Sequence, residues 1–332
     1  MIKKLLALAL GAALLTGLLA GCGGGSAASP APSGEGDKIS VVATIFPEYD
    51  WVREVLGDRA EGAEVTLLLR NGVDMHSFQP SVDDIVTISN CDLFLYVGGE
   101  SDAWVRDALA DAVNKDMEVV SLMDVLGSAV VEEEIVDGME HEHDEDDDHE
   151  DEGPEYDEHV WLSLKNAAVV CREIAARLGK LDAANSDAYA QNAEAYIEKL
   201  NALDGKYAAA VDAAAGKTVL FGDRFPFRYM TDDYDLDYYA AFVGCSAETE
   251  ASFETVVFLA GKVDELGLPA VLTIETSDGK LAQTIVDNTR AKSAKILVMD
   301  SLQSVTSKDV ENGETYLGVM EKNLEALTEA LG

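Results

Sequence analysis

From Val41 onward, short runs of β-branched and apolar residues alternate with longer stretches whose apolar positions recur at helical spacing. That alternation builds parallel sheets with crossover helices. In the first half it predicts strands at Val41 to Ile45, Val65 to Leu69, Leu93 to Val97 and Glu118 to Leu122. In the second half it predicts Thr218 to Phe221, Tyr238 to Phe242, Ala270 to Ile274 and Lys295 to Met299. Four and four imply an α/β protein of two similar lobes, each a mainly parallel four-stranded sheet with helices. No sequence repeat relates the halves, so their likeness is one of architecture. Between them Tyr189, Ala193, Tyr196, Ile197, Leu200, Leu203, Tyr207 and Val211 fall three and four residues apart. This spacing predicts one helix over Asp187 to Ala215. It would span ~40 Å and run along both lobes as a backbone. The expected division is an N-terminal lobe over 38–182, a linking helix over 183–216 and a C-terminal lobe over 217–332.

Two segments break the pattern. At the N-terminus Lys3 and Lys4 precede the apolar run Leu5 to Leu19, and Leu18-Leu19-Ala20-Gly21-Cys22 follows. This is the form of an export signal over 1–21. Its end resembles the lipobox of bacterial lipoproteins, which implies a diacylglyceryl group on Cys22. Residues 22–37 are rich in Gly, Ser, Pro and Ala and read as a flexible tether. The mature protein is therefore expected outside the cytoplasm, held to the cell membrane by lipid. The second segment, Glu132 to Glu158, is dominated by Asp and Glu, with His141, His143 and His149 among them. It predicts a disordered loop, either a solvated acidic insert or a weak metal-collecting arm.

Composition narrows the classes. The chain has 332 residues, 48% of them apolar, enough for about two domains with cores of their own. With 63 acidic against 24 basic residues, the formal charge is -39. Such a surface repels nucleic acid, which needs a basic face. With Cys22 set aside, Cys91, Cys171 and Cys245 are odd in number and lack C-x-x-C spacing, so they are expected to be buried apolar residues rather than disulfides or zinc ligands.

Only two of the five histidines lie outside the acidic loop. His76 sits in Gly72-Val73-Asp74-Met75-His76-Ser77-Phe78-Gln79-Pro80, between a strand and a helix beginning near Ser81. His159 sits in Asp157-Glu158-His159-Val160-Trp161-Leu162, ahead of another helix. In the second half Asp223, Glu275 and Asp300 follow predicted strands at their carboxyl ends, where parallel sheets place ligands. Imidazoles from one lobe and carboxylates from the other would close a divalent-cation site across a cleft.

Taken together, Val41-Val42-Ala43-Thr44-Ile45-Phe46-Pro47, the His76 segment, the acidic His loop, Glu158-His159-Val160-Trp161-Leu162 and Asp300-Ser301-Leu302 make the chain similar to the zinc/manganese solute-binding lipoproteins of bacterial ABC importers. The resemblance covers essentially the whole mature chain. It implies a metal cargo, Zn²⁺ first and Mn²⁺ or Fe²⁺ as alternatives, held between the lobes and delivered to a membrane permease by a monomer that is not an enzyme. It makes His76 and His159 the N-lobe ligands and Asp300 a C-lobe ligand. At Phe221-Gly222-Asp223-Arg224-Phe225 the chain departs from the family, with Gly222 read at a ligand position. Asp223 is then the nearest substitute and Glu275 the second. Asp223 could instead pair with Arg224 or Arg228, and Glu275 could instead orient the cleft by hydrogen bonds. A metal-dependent hydrolase remains a weak alternative, since neither H-E-x-x-H nor G-x-S-x-G occurs. A surface adhesin, or a binding protein for a different solute such as a chelated-iron complex, is the other.

Overall fold

The computed structural model describes residues 38–140, 155–244, 246 and 250–332. The signal, the tether with Cys22, His141, His143, His149 and Cys245 lie outside the described residues. The first sheet comprises β1 (Ser40–Ala43), β2 (Glu64–Leu67), β3 (Leu93–Tyr96) and β4 (Glu118–Ser121), in the order β2-β1-β3-β4 with every pairing parallel. The second comprises β5 (Thr218–Phe225), β6 (Asp237–Val243), β7 (Ala270–Ile274) and β8 (Lys295–Met299), in the order β6-β5-β7-β8, again parallel throughout. All eight strands lie on the predicted runs. β5 continues to Phe225, four residues past its predicted end, with a register break between Phe221 and Arg224.

Both sheets share one topology: the first strand is central, the second lies on one side of it and the third on the other. Chain that leaves neighbouring strands in opposite directions opens a crevice at their carboxyl ends. The central strands are buried on both faces, as in Val41, Val42 and Ala43 of β1 and all five residues of β7, because helices cover both sides. One core runs from the first sheet through Trp51, Trp161 and Tyr316 to Phe221, Phe225 and Phe227 of the second half. A smaller core, with Leu220, Leu259, Val271 and Ile285, fills the space between the second sheet and the helices Phe253–Leu266 and Lys280–Asn288.

The linking helix is Ser186–Ala213, 28 residues, and its buried face consists of the eight residues whose spacing predicts it. The terminal helix Tyr316–Leu331 ties the halves together. Tyr316 is fully buried, edge-on to Trp51 at 5.1 Å. Its N–H donates to Asp50 at 3.0 Å and its hydroxyl to the Trp161 carbonyl at 2.7 Å.

The loop expected over Glu132 to Glu158 begins and ends on ordered residues. Its flanks are packed: Glu133 N–H bonds the Glu155 carbonyl at 2.9 Å, Glu140 N–H bonds the Ala241 carbonyl at 2.9 Å, and Met139 is buried. Asp157 and Glu158 are buried as well. Acidic composition conceals these anchors, because an apolar residue and a few well-partnered carboxylates suffice to order a segment that its average charge marks as solvated. Cys91 and Cys171 are free and buried, and burial pushes the Cys91 thiol up to about 12, as expected of small apolar residues.

Candidate metal centre

His76 lies after β2 in the short helical turn Met75–Ser77, whose N-cap Asp74 accepts the His76 N–H at 3.1 Å. His159 opens the turn Val160–Leu162 and is fully buried. The structure brings these two imidazoles together, with Nε2 3.2 Å from Nε2. Each ring is held from behind. His159 Nδ1 lies 3.0 Å from Asp157 Oδ1, which also accepts the His159 N–H at 2.8 Å. His76 Nδ1 lies 2.8 Å from Ser101 Oγ and 3.6 Å from Glu158 Oε2. The Asp157 carboxylate requires a proton on His159 Nδ1, and in the tautomer in which His76 Nδ1 likewise donates to Ser101 Oγ, both Nε2 atoms present lone pairs to the same point. Two nitrogen ligands of one tetrahedral zinc, at about 2.0–2.1 Å each, sit ~3.3 Å apart, so the spacing suits a shared divalent ion.

The surroundings fix these rings. Glu158 Oε1 accepts the Ser101 N–H at 3.0 Å, and Gly99 approaches it so closely that a Cβ would meet Oε1 at 2.3 Å. The φ of +78° at Gly99 admits glycine readily and other residues only with strain. Across the cleft Gly244 lies against His159, where a Cβ would come within 2.9 Å of Cε1. Burial, together with the neighbouring His159, lowers the His76 pKa to about 3, which keeps the imidazole neutral and able to ligate.

The carboxylates of the second half have different settings. Asp300 follows β8, and its N–H donates to Asn323 Oδ1 at 2.8 Å while its Oδ1 accepts the Leu302 N–H at 2.7 Å. Leu302 is buried with φ +63°, a left-handed conformation held by the loop around it. Trp161 Nε1–H donates to the Ser301 carbonyl at 2.8 Å, which fastens this loop to the segment bearing His159. Glu275 accepts the Ser301 N–H at 2.8 Å, the Ser301 hydroxyl at 2.9 Å and the Ser304 hydroxyl at 3.1 Å. Both its oxygens therefore brace the Asp300 loop. Burial, and then the charge of Glu275, push the Asp300 carboxyl up to about 7.

Gly222 is closely packed against its neighbours. A Cβ there would meet the Ala282 Cα at 2.7 Å and Val271 Cγ1 at 3.0 Å, so any side chain would run into the helix Lys280–Asn288. A side chain at Gly222, where the resemblance puts a ligand, would therefore need this helix to shift. Asp223 accepts the Arg224 N–H at 2.9 Å through Oδ1, and its Oδ2 is buried without a hydrogen bond. It lines a cavity of about 860 Å³ with Gly222, Ile274, Thr276 and Lys280. Neither expected arginine pairing forms: Arg224 reaches Asp74 at 2.8 Å, and Arg228 contacts Asp232 and Glu134. Among the described residues no three of His, Cys, Asp and Glu converge as a ready-made metal shell. They present an imidazole pair and a separate carboxylate loop joined to it through Trp161. The sequence reading missed Ser101, Asp157, Glu158, Gly244 and Arg224 as parts of this region. Only Asp157 and Glu158 left a signal, as carboxylates directly preceding His159.

Two parallel α/β lobes with one long helix between them, and paired imidazoles where they meet, define the class of two-lobed solute-binding proteins. The family model described as "ZnuA: Zinc-uptake complex component A periplasmic" matches residues 41–330, and the chain belongs to that family. The High-affinity zinc uptake system protein ZnuA of Bacillus subtilis (strain 168) is 30% identical over 315 residues, 95% of this chain and 94% of its own length. Zinc-binding protein AdcA of Streptococcus pyogenes serotype M6 is 30% identical over 296 residues, 87% of this chain; the match spans 55% of that relative's length. The Zn(II)-bound ZnuA-like domain of Streptococcus pneumoniae AdcA superposes with a TM-score of 0.69 at 28% identity, covering 89% of this chain and 99% of that one.

Proposed function

We propose that the chain is an extracytoplasmic solute-binding protein that captures Zn²⁺ between its lobes and delivers it to the permease of an ABC importer. The observation that carries this reading is the pair of Nε2 atoms 3.2 Å apart, with both Nδ1 atoms engaged from behind. His76 and His159 supply the nitrogen ligands and Asp300 an oxygen from the second half. Glu275 supports the Asp300 loop and Asp223 stays outside the shell. Two imidazoles and a carboxylate also accept Mn²⁺ or Fe²⁺, but the affinity order favours zinc over both. The reading is one of a binding protein and not of an enzyme, with lobes over 38–182 and 217–332 joined by the linking helix.

Metal analysis of protein purified without chelator, followed by competition titration with Zn²⁺ and Mn²⁺, tests the reading. One equivalent of tightly held zinc is expected, with a rise in melting temperature that His76→Ala abolishes, because binding to the folded state alone stabilises it. A His76→Ala protein that kept the full shift would remove His76 from the shell.

Two further elements complete the proposal. Cys22 carries lipid and holds the body at the membrane, and intact-mass analysis of the membrane-extracted protein should find it modified. His141, His143 and His149 collect metal weakly. Since the flanks are anchored through Glu133, Met139, Glu140, Asp157 and Glu158, the deletion that tests this is limited to residues 141–154. It should remove weak events from a calorimetric titration and leave the tight one.

A further inference from the structure

Arg224 is the penultimate residue of β5, on the opposite side of the cleft from His76. Its guanidinium spans the gap: Nη2 donates to Asp74 Oδ2 at 2.8 Å and Nη1 to the Ser246 carbonyl at 3.2 Å. The bridge is mostly shielded, with side chains 16% and 22% exposed. Asp74 is also the N-cap whose other oxygen accepts the His76 N–H at 3.1 Å. A permanent positive charge is therefore held one carboxylate away from an imidazole that we assign to a divalent cation. The charge of an arginine cannot be switched off by proton loss. On the N-lobe side of this bridge its ion-pair partner among the described residues is Asp74.

We infer that Arg224 sets how tightly the cleft holds its metal, acting as a fixed counter-charge that Asp74 neutralises and that keeps the ion releasable. This rests on the proposed zinc site at His76 and His159. Charge and architecture predict opposite outcomes. If the bridge is only a structural latch, breaking it from either end loosens the His76 turn and weakens binding. If charge decides, Arg224→Gln leaves the Asp74 carboxylate uncompensated and strengthens binding. Asp74→Asn keeps the cap, because an amide oxygen still accepts the His76 N–H, but exposes the metal to the guanidinium and weakens binding.

The test is Zn²⁺ affinity, read by competition with a chromophoric chelator, for the full chain and for Arg224→Gln, Asp74→Asn and the double variant. Arg224→Gln should bind tighter and Asp74→Asn weaker, each on the order of tenfold, and the double variant should return close to the parent. Arg224→Lys, which keeps the charge, should also stay near the parent, and melting curves would show that each variant is folded. An Arg224→Gln protein with unchanged or weaker affinity overturns the inference while the zinc site stands. A parent that does not bind zinc, or that binds it equally well as His76→Ala, overturns the zinc site and the inference with it.

Discussion

The two sides of the cleft are built on the same strand order yet present different chemistry. The N-lobe side offers two imidazoles, each with its Nδ1 on an oxygen and its Nε2 directed at its partner. The C-lobe side offers a carboxylate on a strained loop, braced by Glu275 and Asn323, and an arginine that crosses to the other side. The hydrogen bonds that hold the two rings come from a single lobe. The oxygen half depends on Trp161 and Ser301 meeting across the core. Nitrogen and oxygen donors thus come from different lobes, which allows one set to be altered while the other keeps its hydrogen bonds.

The largest test removes the nitrogen half. His159→Ala should abolish the zinc-induced shift in melting temperature and cost more than the ~10–100-fold typical of a supporting residue. If Asp300→Ala abolishes binding while His159→Ala does not, the division of roles is reversed. Next, Glu275→Gln should weaken zinc by about 10–100-fold, since the Asp300 loop loses its brace while the imidazole pair is untouched. A chelator titration that finds parent affinity would place Asp300 under other control. A smaller effect is expected at Gly222. Gly222→His should lower stability by about 1–3 kcal/mol through overpacking against Ala282, with no gain in zinc preference, as denaturant unfolding and metal competition would report.

The mildest test compares buried carboxyls away from the metal. Burial, and then the charge of Asp102, push Glu48 up to about 8, above its value in an unfolded chain. A group raised on folding contributes most below its unfolded pKa and loses that contribution as pH rises through the folded one. Stability should therefore fall between about pH 4.5 and 8, and Glu48→Gln should flatten this part of the profile in melts run from pH 5 to 9. An unchanged slope would show that Glu48 is not its source.

The paired sheets and the long helix were legible because they follow from local periodicity, which any chain shows without its tertiary partners. The eight buried positions of Ser186–Ala213 and the strand at Ala270–Ile274 are direct readings of this kind. Both histidines were legible too, since imidazole is scarce elsewhere in the chain. The acidic flanks misled because their order comes from pairing between Glu133 and Glu155 and between Glu140 and Ala241, contacts that composition does not encode.

The close packing around Gly222, the bracing of Asp300 by Glu275 and the reach of Arg224 to Asp74 were decided only by the tertiary structure. Arg224 and Asp74 are 150 positions apart in sequence. A register break in β5 separates Phe221 from Arg224, and alternation along a strand no longer assigns faces beyond such a break. The sequence itself determined which residues could form sheets, helices and a metal site, because spacing and side-chain chemistry are local properties. Which of them meet is a matter of packing between segments far apart in the chain, and that information exists only once the core has closed.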